Sequence, residues 1–235
     1  EIIRRVMEKI DATKLRGTLI AAPIVNVYGF IDQSRYLPDR RDLNRCFPGS
    51  ATGSLASRLA YLFMTEIVGR CQYGIDLHTG ANHRTNLPQV RADLSDEETR
   101  RCAEAFAAPV TIDARTRDGY LRWAATKKNR SRGLLYEAGE PLRFNEDAIA
   151  TGVRGVLRVL LQLKMRNRGP KRSTETVRFD TTTWVRAKRS GILRLEVKLG
   201  QRVAKGDRLG RIADAFGGES VRVVAPGSGL VIGHT

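Results

Sequence analysis

The sequence has few cysteines, few aromatic residues and no long apolar segment. Three cysteines, Cys46, Cys71 and Cys102, occur in 235 residues, and none belongs to a C-x-x-C pair. This scarcity excludes a disulfide framework and a cysteine-built zinc site, and it favours a reducing, cytoplasmic location. No apolar run approaches the roughly 20 residues that a transmembrane helix needs, so we expect no membrane span. Aromatic residues make up 6%, which argues against a surface for stacking nucleic-acid bases.

Acidic residues are too few to balance the basic ones. The chain has 41 lysines and arginines against 25 aspartates and glutamates, a formal net charge of +16. Such a charge fits either the steering of carboxylate substrates or nonspecific binding of nucleic acid. The basic residues are spread along the chain, and no nucleic-acid-binding motif accompanies them. We therefore predict a small carboxylate-bearing substrate, no nucleic-acid partner and no membrane partner, and we leave homo-oligomerisation open.

Hydrophobic periodicity divides the chain into two parts. Helical and strand patterns alternate over residues 1–165, which predicts an α/β domain with a mostly parallel or mixed sheet. A basic linker at 166–173 follows, and the period then changes to two, which predicts a small all-β module over 174–235. The predicted strands are 18–30, 73–78, 109–113, 134–137, 184–187, 192–197, 208–212 and 221–225. The predicted helices are 54–70, capped by Ser54, 95–107, with a capping box at Ser95, and a long one capped by Asn145.

The two ends of the chain have no ordinary boundary signals. The chain begins directly in a helical pattern at Glu1, without a methionine or a capping residue, and it stops inside a strand pattern at Thr235. We therefore expect it to be a piece of a longer protein, with the start of the first domain and the end of the β module missing.

Two groups of polar residues lie where a ligand could bind. Arg41–Gly49, with Arg35 upstream, contains an Arg–Asn–Arg cluster that could clamp a carboxylate, although taken alone it is better explained as a solvated basic loop. His78 ends a predicted strand, where open α/β sheets place their ligands, although a structural histidine is the alternative. His83 follows five residues later, which is a weak zinc spacing.

A third group contains a candidate general base. Glu137 ends an apolar strand, and partial desolvation there would raise a carboxyl pKa towards the range useful to a general base. The alternative treats Glu137 and Glu140 as ordinary charges at a strand end.

Together the motifs resemble those of one enzyme family. Asp42–Arg45 with Phe47–Gly49, then Asp76–Gly80, then Glu137–Gly139 have the order and spacing of the succinylglutamate desuccinylase/aspartoacylase family of the zinc carboxypeptidase superfamily. The resemblance implies a zinc-carboxypeptidase-like mixed sheet flanked by helices, followed by a small barrel-sandwich-like β module. It also implies a zinc-dependent deacylase that hydrolyses the amide bond of an N-acyl amino acid or a similar small carboxylate-bearing amide.

The same resemblance implies roles for five residues. His78 would be a zinc ligand, and Glu137 would be the base that activates water and then protonates the leaving amine. Asn44 and Arg45 would hold the substrate carboxylate and polarise the scissile carbonyl. Arg35 is a looser match to another carboxylate-binding arginine.

One expected motif is not in the sequence. The family's other two zinc ligands belong to an H-x-x-E motif, and none of the three histidines is followed by glutamate at the third place. That motif would fall before Glu1. One alternative is therefore a catalytically silent binding or scaffold protein. A carboxypeptidase that acts on peptides also stays open, because the resemblance implies a ligand set and base that the whole superfamily shares.

The β module is similar to biotinyl/lipoyl domains. Those domains carry a modified lysine in a hairpin, whereas the corresponding stretch 213–220 contains no lysine. We therefore expect neither biotin nor lipoate, and we predict that the module covers the mouth of the catalytic domain or supports oligomer contacts.

Overall fold

The computed structural model describes residues 1–172, 175–218 and 220–235. The α-helices are α1 (Ile2–Met7), α2 (Val27–Ile31), α3 (Leu55–Glu66), α4 (Glu97–Phe106), α5 (Leu121–Asn129) and α6 (Glu146–Gln162). The strands are β1 (Tyr73–His78), β2 (Thr85–Ala92), β3 (Val110–Asp113), β4 (Arg132–Gly139), β5 (Val177–Phe179), β6 (Ile192–Leu195), β7 (Arg202–Val203), β8 (Arg208–Ala213), β9 (Ser220–Val224), β10 (Gly229–Leu230) and β11 (Gly233–His234).

The main sheet is mixed, as the sequence predicts. Its strands follow the order β1-β4-β2-β3-β5, and β11 pairs with β2. The pairs β1–β4, β2–β3 and β3–β5 are parallel, whereas β2–β4 and β11–β2 are antiparallel. Helices flank this sheet, so the predicted α/β fold class is confirmed.

The main hydrophobic cluster lies on one face of this sheet, and a second one packs between α3 and α5. Alternate side chains of the central strands point to that face, where they pack under α4 and α6. Phe106 of α4 and Tyr136 of β4 are almost fully buried, with ring centroids 4.9 Å apart. The Tyr136 hydroxyl donates a hydrogen bond of 2.7 Å to the Ala148 carbonyl and thereby ties β4 to α6. The other face is therefore left for polar side chains.

Side-chain caps start the long helices. Ser54 caps α3 and Asn145 caps α6, as predicted, each accepting a hydrogen bond from a backbone N–H three residues later. The predicted capping box at Ser95 is wrong by one residue. Asp96 accepts from the Thr99 N–H, while the Ser95 hydroxyl donates to Asp93.

Two predicted strands are wrong. The apolar run 18–30 ends in helix α2, because Asn26 accepts a hydrogen bond from the Gly29 N–H and caps a helical turn. Phe30 is 65% exposed, and none of the described strands pairs with this run, so it does not form a buried strand. Residues 184–187 form no strand either, and Trp184 instead lies against the Arg84 guanidinium, 4.9 Å from the ring centroid.

Residues beyond the linker form two small sheets of their own. Strands β6-β8-β9 make an antiparallel three-stranded sheet, and β7 pairs with β10. Strands β5 and β11 join the main sheet instead, through β3 and β2. The predicted boundary at 173–174, and position 219 of the hairpin 213–220, lie outside the described residues.

Within residues 1–172, 175–218 and 220–235, no helix combines the length and the hydrophobicity that crossing a bilayer requires.

Candidate active site

The candidate site lies on the polar face of the main sheet. Strand alternation sends Ile75 and Leu77 to the core face and Asp76 and His78 to the opposite face. In β4 the same alternation separates the core residue Tyr136 from Glu137. The pleat of the two strands therefore gathers the polar side chains on one side.

His78 and Glu137 are neighbours across two parallel strands. The register of β1 and β4 places His78 directly beside Glu137, at the carboxyl ends of both strands. Each side chain is about three-quarters buried, with 23% and 24% of its surface exposed. The structure thus brings the predicted metal ligand and the predicted base together.

Asp76 controls the surroundings of His78. The Nε2 atom of His78 lies 2.9 Å from Oδ2 of Asp76. Burial lowers the pKa of His78, but the carboxylates of Asp76 and Glu137 outweigh it and leave that pKa above its usual value. An imidazole that uses one ring nitrogen on a carboxylate is oriented as zinc-bound histidines typically are.

The residues present do not complete a zinc site by themselves. His78 carries a carboxylate on one ring nitrogen, an arrangement that zinc-bound histidines also have. However, the described part of the chain contains no group of three histidine, cysteine, aspartate or glutamate side chains that could hold a metal ion. Among the described residues, His78 is thus a candidate ligand without a complete metal site around it.

The loop before α3 carries the predicted substrate-binding residues. Asp42 organises it by accepting from the Asn44 N–H at 2.9 Å and by pairing with the Arg35 guanidinium at 2.9 Å. The Asn44 side chain accepts a hydrogen bond of 2.9 Å from the Leu121 N–H at the start of α5. These contacts fix the loop against the helix that covers the polar face.

Arg45 and Arg35 differ in their relation to the rest of the site. The Arg45 guanidinium stacks on the Tyr120 ring, 3.9 Å from its centroid, and stays half exposed. The positive charge of Arg35 opposes the rise in the pKa of His78 that Asp76 and Glu137 cause. Asn44 and Arg45 both contact the start of α5, through Leu121 and Tyr120, whereas Arg35 pairs with Asp42.

Two side chains that the sequence analysis missed contact Glu137. Asn86 Nδ2 donates to Oε2 of Glu137 at 3.3 Å, and Arg91 Nε lies 3.7 Å from the same oxygen. Both belong to β2, whose register shifts between Asn86 and Gln89. A bulge of this kind re-aims side chains, and it allows Asn86 to reach the polar face. The alternation of Gln89 and Arg91 was the available signal.

Arg122 of α5 is a third side chain that the analysis missed. Its guanidinium donates to the Arg91 carbonyl at 3.1 Å, and its stem lies over Gly133, where a Cβ would approach Arg122 Cγ to 3.3 Å. Burial lowers the pKa of Arg122, and the charge of Arg91 lowers it further, whereas Asp76 opposes the shift. The polar face is therefore a buried layer of mixed charge.

Comparison with known proteins gives one consistent result. The sequence profile of the succinylglutamate desuccinylase/aspartoacylase catalytic domain matches residues 1–163. A curated relative, N-alpha-acetyl-L-2,4-diaminobutyric acid deacetylase of Halomonas elongata, is 25% identical over 223 residues, which cover 90% of this chain. The chain spans 65% of the length of that relative.

Solved structures agree over almost the whole chain. The product-bound ectoine utilization protein EutE (DoeB) from Ruegeria pomeroyi is similar with a TM-score of 0.88 and 25% identity, covering 99% of this chain and 74% of that one. A succinylglutamate desuccinylase/aspartoacylase from Rhodobacter sphaeroides shares the fold with a TM-score of 0.87 and 24% identity, covering 98% and 74% of the two chains.

Proposed function

Because this chain belongs to the succinylglutamate desuccinylase/aspartoacylase family, we propose that the complete protein hydrolyses the amide bond of an N-acyl amino acid or a similar small carboxylate-bearing amide. The observation that carries the proposal is the placement of His78 beside Glu137 at the carboxyl ends of β1 and β4. A relative named as a deacetylase supports the same reaction class.

Glu137 has the surroundings of a general base. In this proposal its carboxylate takes a proton from the attacking water and gives it to the departing nitrogen, because the leaving group must be protonated to depart as an amine. Asn86 and Arg91 both contact Oε2, and these contacts would hold the carboxylate in one orientation.

The arginine-rich loop would bind the substrate. Arg45 and Asn44 would engage a carboxylate and the scissile carbonyl, and Arg35 would add positive charge near His78. The net charge of +16 would draw anionic substrates towards the molecule.

Zinc is part of the proposal. His78, oriented by Asp76, would be one ligand, and the other two would come from outside residues 1–235. A zinc ion there would supply a Lewis acid for amide hydrolysis.

The domain division is proposed as well, with a catalytic domain at 1–165, a linker at 166–173 and the β module at 174–235.

The test is turnover and zinc content of the complete protein. We expect close to one zinc per chain by elemental analysis, and chelator-sensitive release of an amino acid from a panel that includes N-acetyl-L-2,4-diaminobutyrate and N-succinyl-L-glutamate. Turnover of peptides instead would favour a carboxypeptidase. No zinc and no turnover would replace the proposal with a silent binding protein that acts through its basic surface or β module.

A further inference from the structure

The end of the β module reaches the polar face of the catalytic sheet. Strand β11 pairs with β2, with Gly233 opposite Asn86 and His234 opposite Thr85. Just before it, the Ile232 carbonyl accepts a hydrogen bond of 3.0 Å from the Leu87 N–H. The module therefore continues the sheet on which Glu137 lies.

Ile232 also contacts the side chain of Gln89, which is connected to Glu137 through Arg91. Its carbonyl accepts a hydrogen bond of 3.3 Å from Nε2 of Gln89, which is almost fully buried and lies opposite Glu137 in the register of β2 and β4. Oε1 of Gln89 in turn accepts from Nη2 of Arg91 at 3.0 Å. The Nε of Arg91 is buried, has no hydrogen-bond partner among the described residues, and lies 3.7 Å from Oε2 of Glu137.

Gly233 forms the second connection. Asn86, which is 9% exposed, donates its Nδ2 hydrogen to the same oxygen of Glu137. A Cβ added to Gly233 would lie 2.8 Å from the Asn86 Oδ1 atom, closer than real Cβ contacts come. Only glycine therefore lets the module strand approach Asn86 without moving its amide group.

We infer that Ile232 and Gly233 of the β module position the carboxylate of Glu137. Asn86 and the Gln89–Arg91 pair are the positioning residues through which the strand acts, and none of them needs to touch the substrate. The inference rests on the proposed function, in which Glu137 is the base. The β module would then help to assemble the catalytic site by holding the Glu137 carboxylate in place.

Both connections end on one carboxylate oxygen, Oε2. Contacts that fix a reacting group raise turnover more than they raise substrate affinity, and losing an orienting partner typically reduces activity about 10- to 100-fold. We therefore expect damage to either connection to lower kcat and leave KM nearly unchanged.

The experiment compares Gly233→Ala with Gly229→Ala in the complete protein. Gly229 lies in β10 of the same module, and a Cβ there meets nothing within 4 Å, so it is a matched control. With N-acetyl-L-2,4-diaminobutyrate as probe, we expect Gly233→Ala to lower kcat about 10-fold or more at unchanged KM, and Gly229→Ala to match wild type. Arg91→Lys should retain more activity than Arg91→Met, because it keeps the positive charge.

A second readout does not depend on turnover. The side-chain amide signal of Asn86, assigned by its loss in Asn86→Asp, should shift in the 15N–1H spectrum of both Glu137→Gln and Gly233→Ala, but not in Gly229→Ala. If the chemical shift of the Asn86 side-chain amide were the same in Glu137→Gln as in wild type, the inference would be overturned. So would a Gly233→Ala enzyme with wild-type kcat, or one whose kcat and KM change together with a lower Tm. A wild-type protein that turns over no probe would refute the proposed function, while the spectrum would still decide whether the strand holds Glu137.

Discussion

His78 and Glu137 lie side by side because β1 and β4 are parallel and in register. A parallel pair brings the carboxyl ends of two strands to the same edge of the sheet. In sequence, 53 residues lie between the end of β1 and the start of β4, and they form β2, α4, β3, α5 and the connecting loops. Shifting either strand by one residue would turn one of the two side chains into the core. The pair is therefore a direct consequence of sheet register.

Replacing Glu137 tests the role proposed for it. Glu137→Gln keeps the shape of the side chain but removes its ability to accept a proton, so we expect kcat to fall about 10²- to 10⁴-fold. Zinc content should not change. Glu104→Gln, at an exposed position of α4, is the control and should retain wild-type turnover. Equal turnover in both variants would show that Glu137 is not the base.

Asp76 should matter for metal affinity. Asp76→Asn removes the charge that orients and polarises His78, and such partners of metal ligands are typically worth about 10- to 100-fold in affinity. We expect zinc to dissociate at correspondingly lower chelator concentration in a competition titration. Asp93→Asn, in the loop after β2, provides the comparison. An unchanged zinc affinity in Asp76→Asn would show that Asp76 does not support a metal-bound His78.

Gly155 tests the core packing of α6. A Cβ there would lie 2.3 Å from the Phe106 ring, which is fully buried against Tyr136. Overpacking of this kind costs about 1–3 kcal/mol, and the better helix propensity of alanine offsets up to about 1 kcal/mol. Gly155→Ala should therefore lower the free energy of unfolding in urea. Gly152→Ala should lower it less, because the nearest atom there is the end of the Ile2 side chain.

Asp39 should make stability depend on pH. The Ala56 N–H, which donates to Asp39 at 2.9 Å, lowers the pKa of that carboxyl below its usual value. A lowered folded-state pKa contributes stability above the unfolded pKa of about 3.9, and this stability is lost as the pH falls through the folded value. The difference in unfolding free energy between wild type and Asp39→Asn should thus be constant from pH 5 to 7 and shrink below pH 4.

The strands that carry His78 and Glu137 could be predicted because each is a short apolar run that ends in polar residues. The loop around Asp42 could be predicted from its motif. Strand β2 could not, because Pro88 interrupts its pattern and proline is unfavourable in the middle of a sheet. The prediction of a strand over 18–30 was wrong because an apolar composition alone does not make a strand, which also needs a neighbouring strand to pair with.

The missed site residues depend on contacts between distant parts of the chain. Asn86 reaches Glu137 only because β2 is irregular between Asn86 and Gln89, a feature that no local pattern encodes. Arg122 lies on α5, and the side chain of the preceding N-cap residue, Tyr120, makes no capping hydrogen bond, so the helix carried no start signal. Its position over Gly133 follows from packing of the helix on the sheet.

The pairing of β11 with β2 also has a consequence for biosynthesis. Residues 85–87 of β2 pair with residues 232–234 at the far end of the described chain. Chains emerge from the ribosome amino-terminal end first, so this part of β2 keeps an unpaired edge until residue 232 has been made. Unpaired strand edges are templates for association with other chains, and contacts between remote residues form slowly. The nascent protein is therefore most exposed to misassembly in the interval between synthesis of β2 and synthesis of β11.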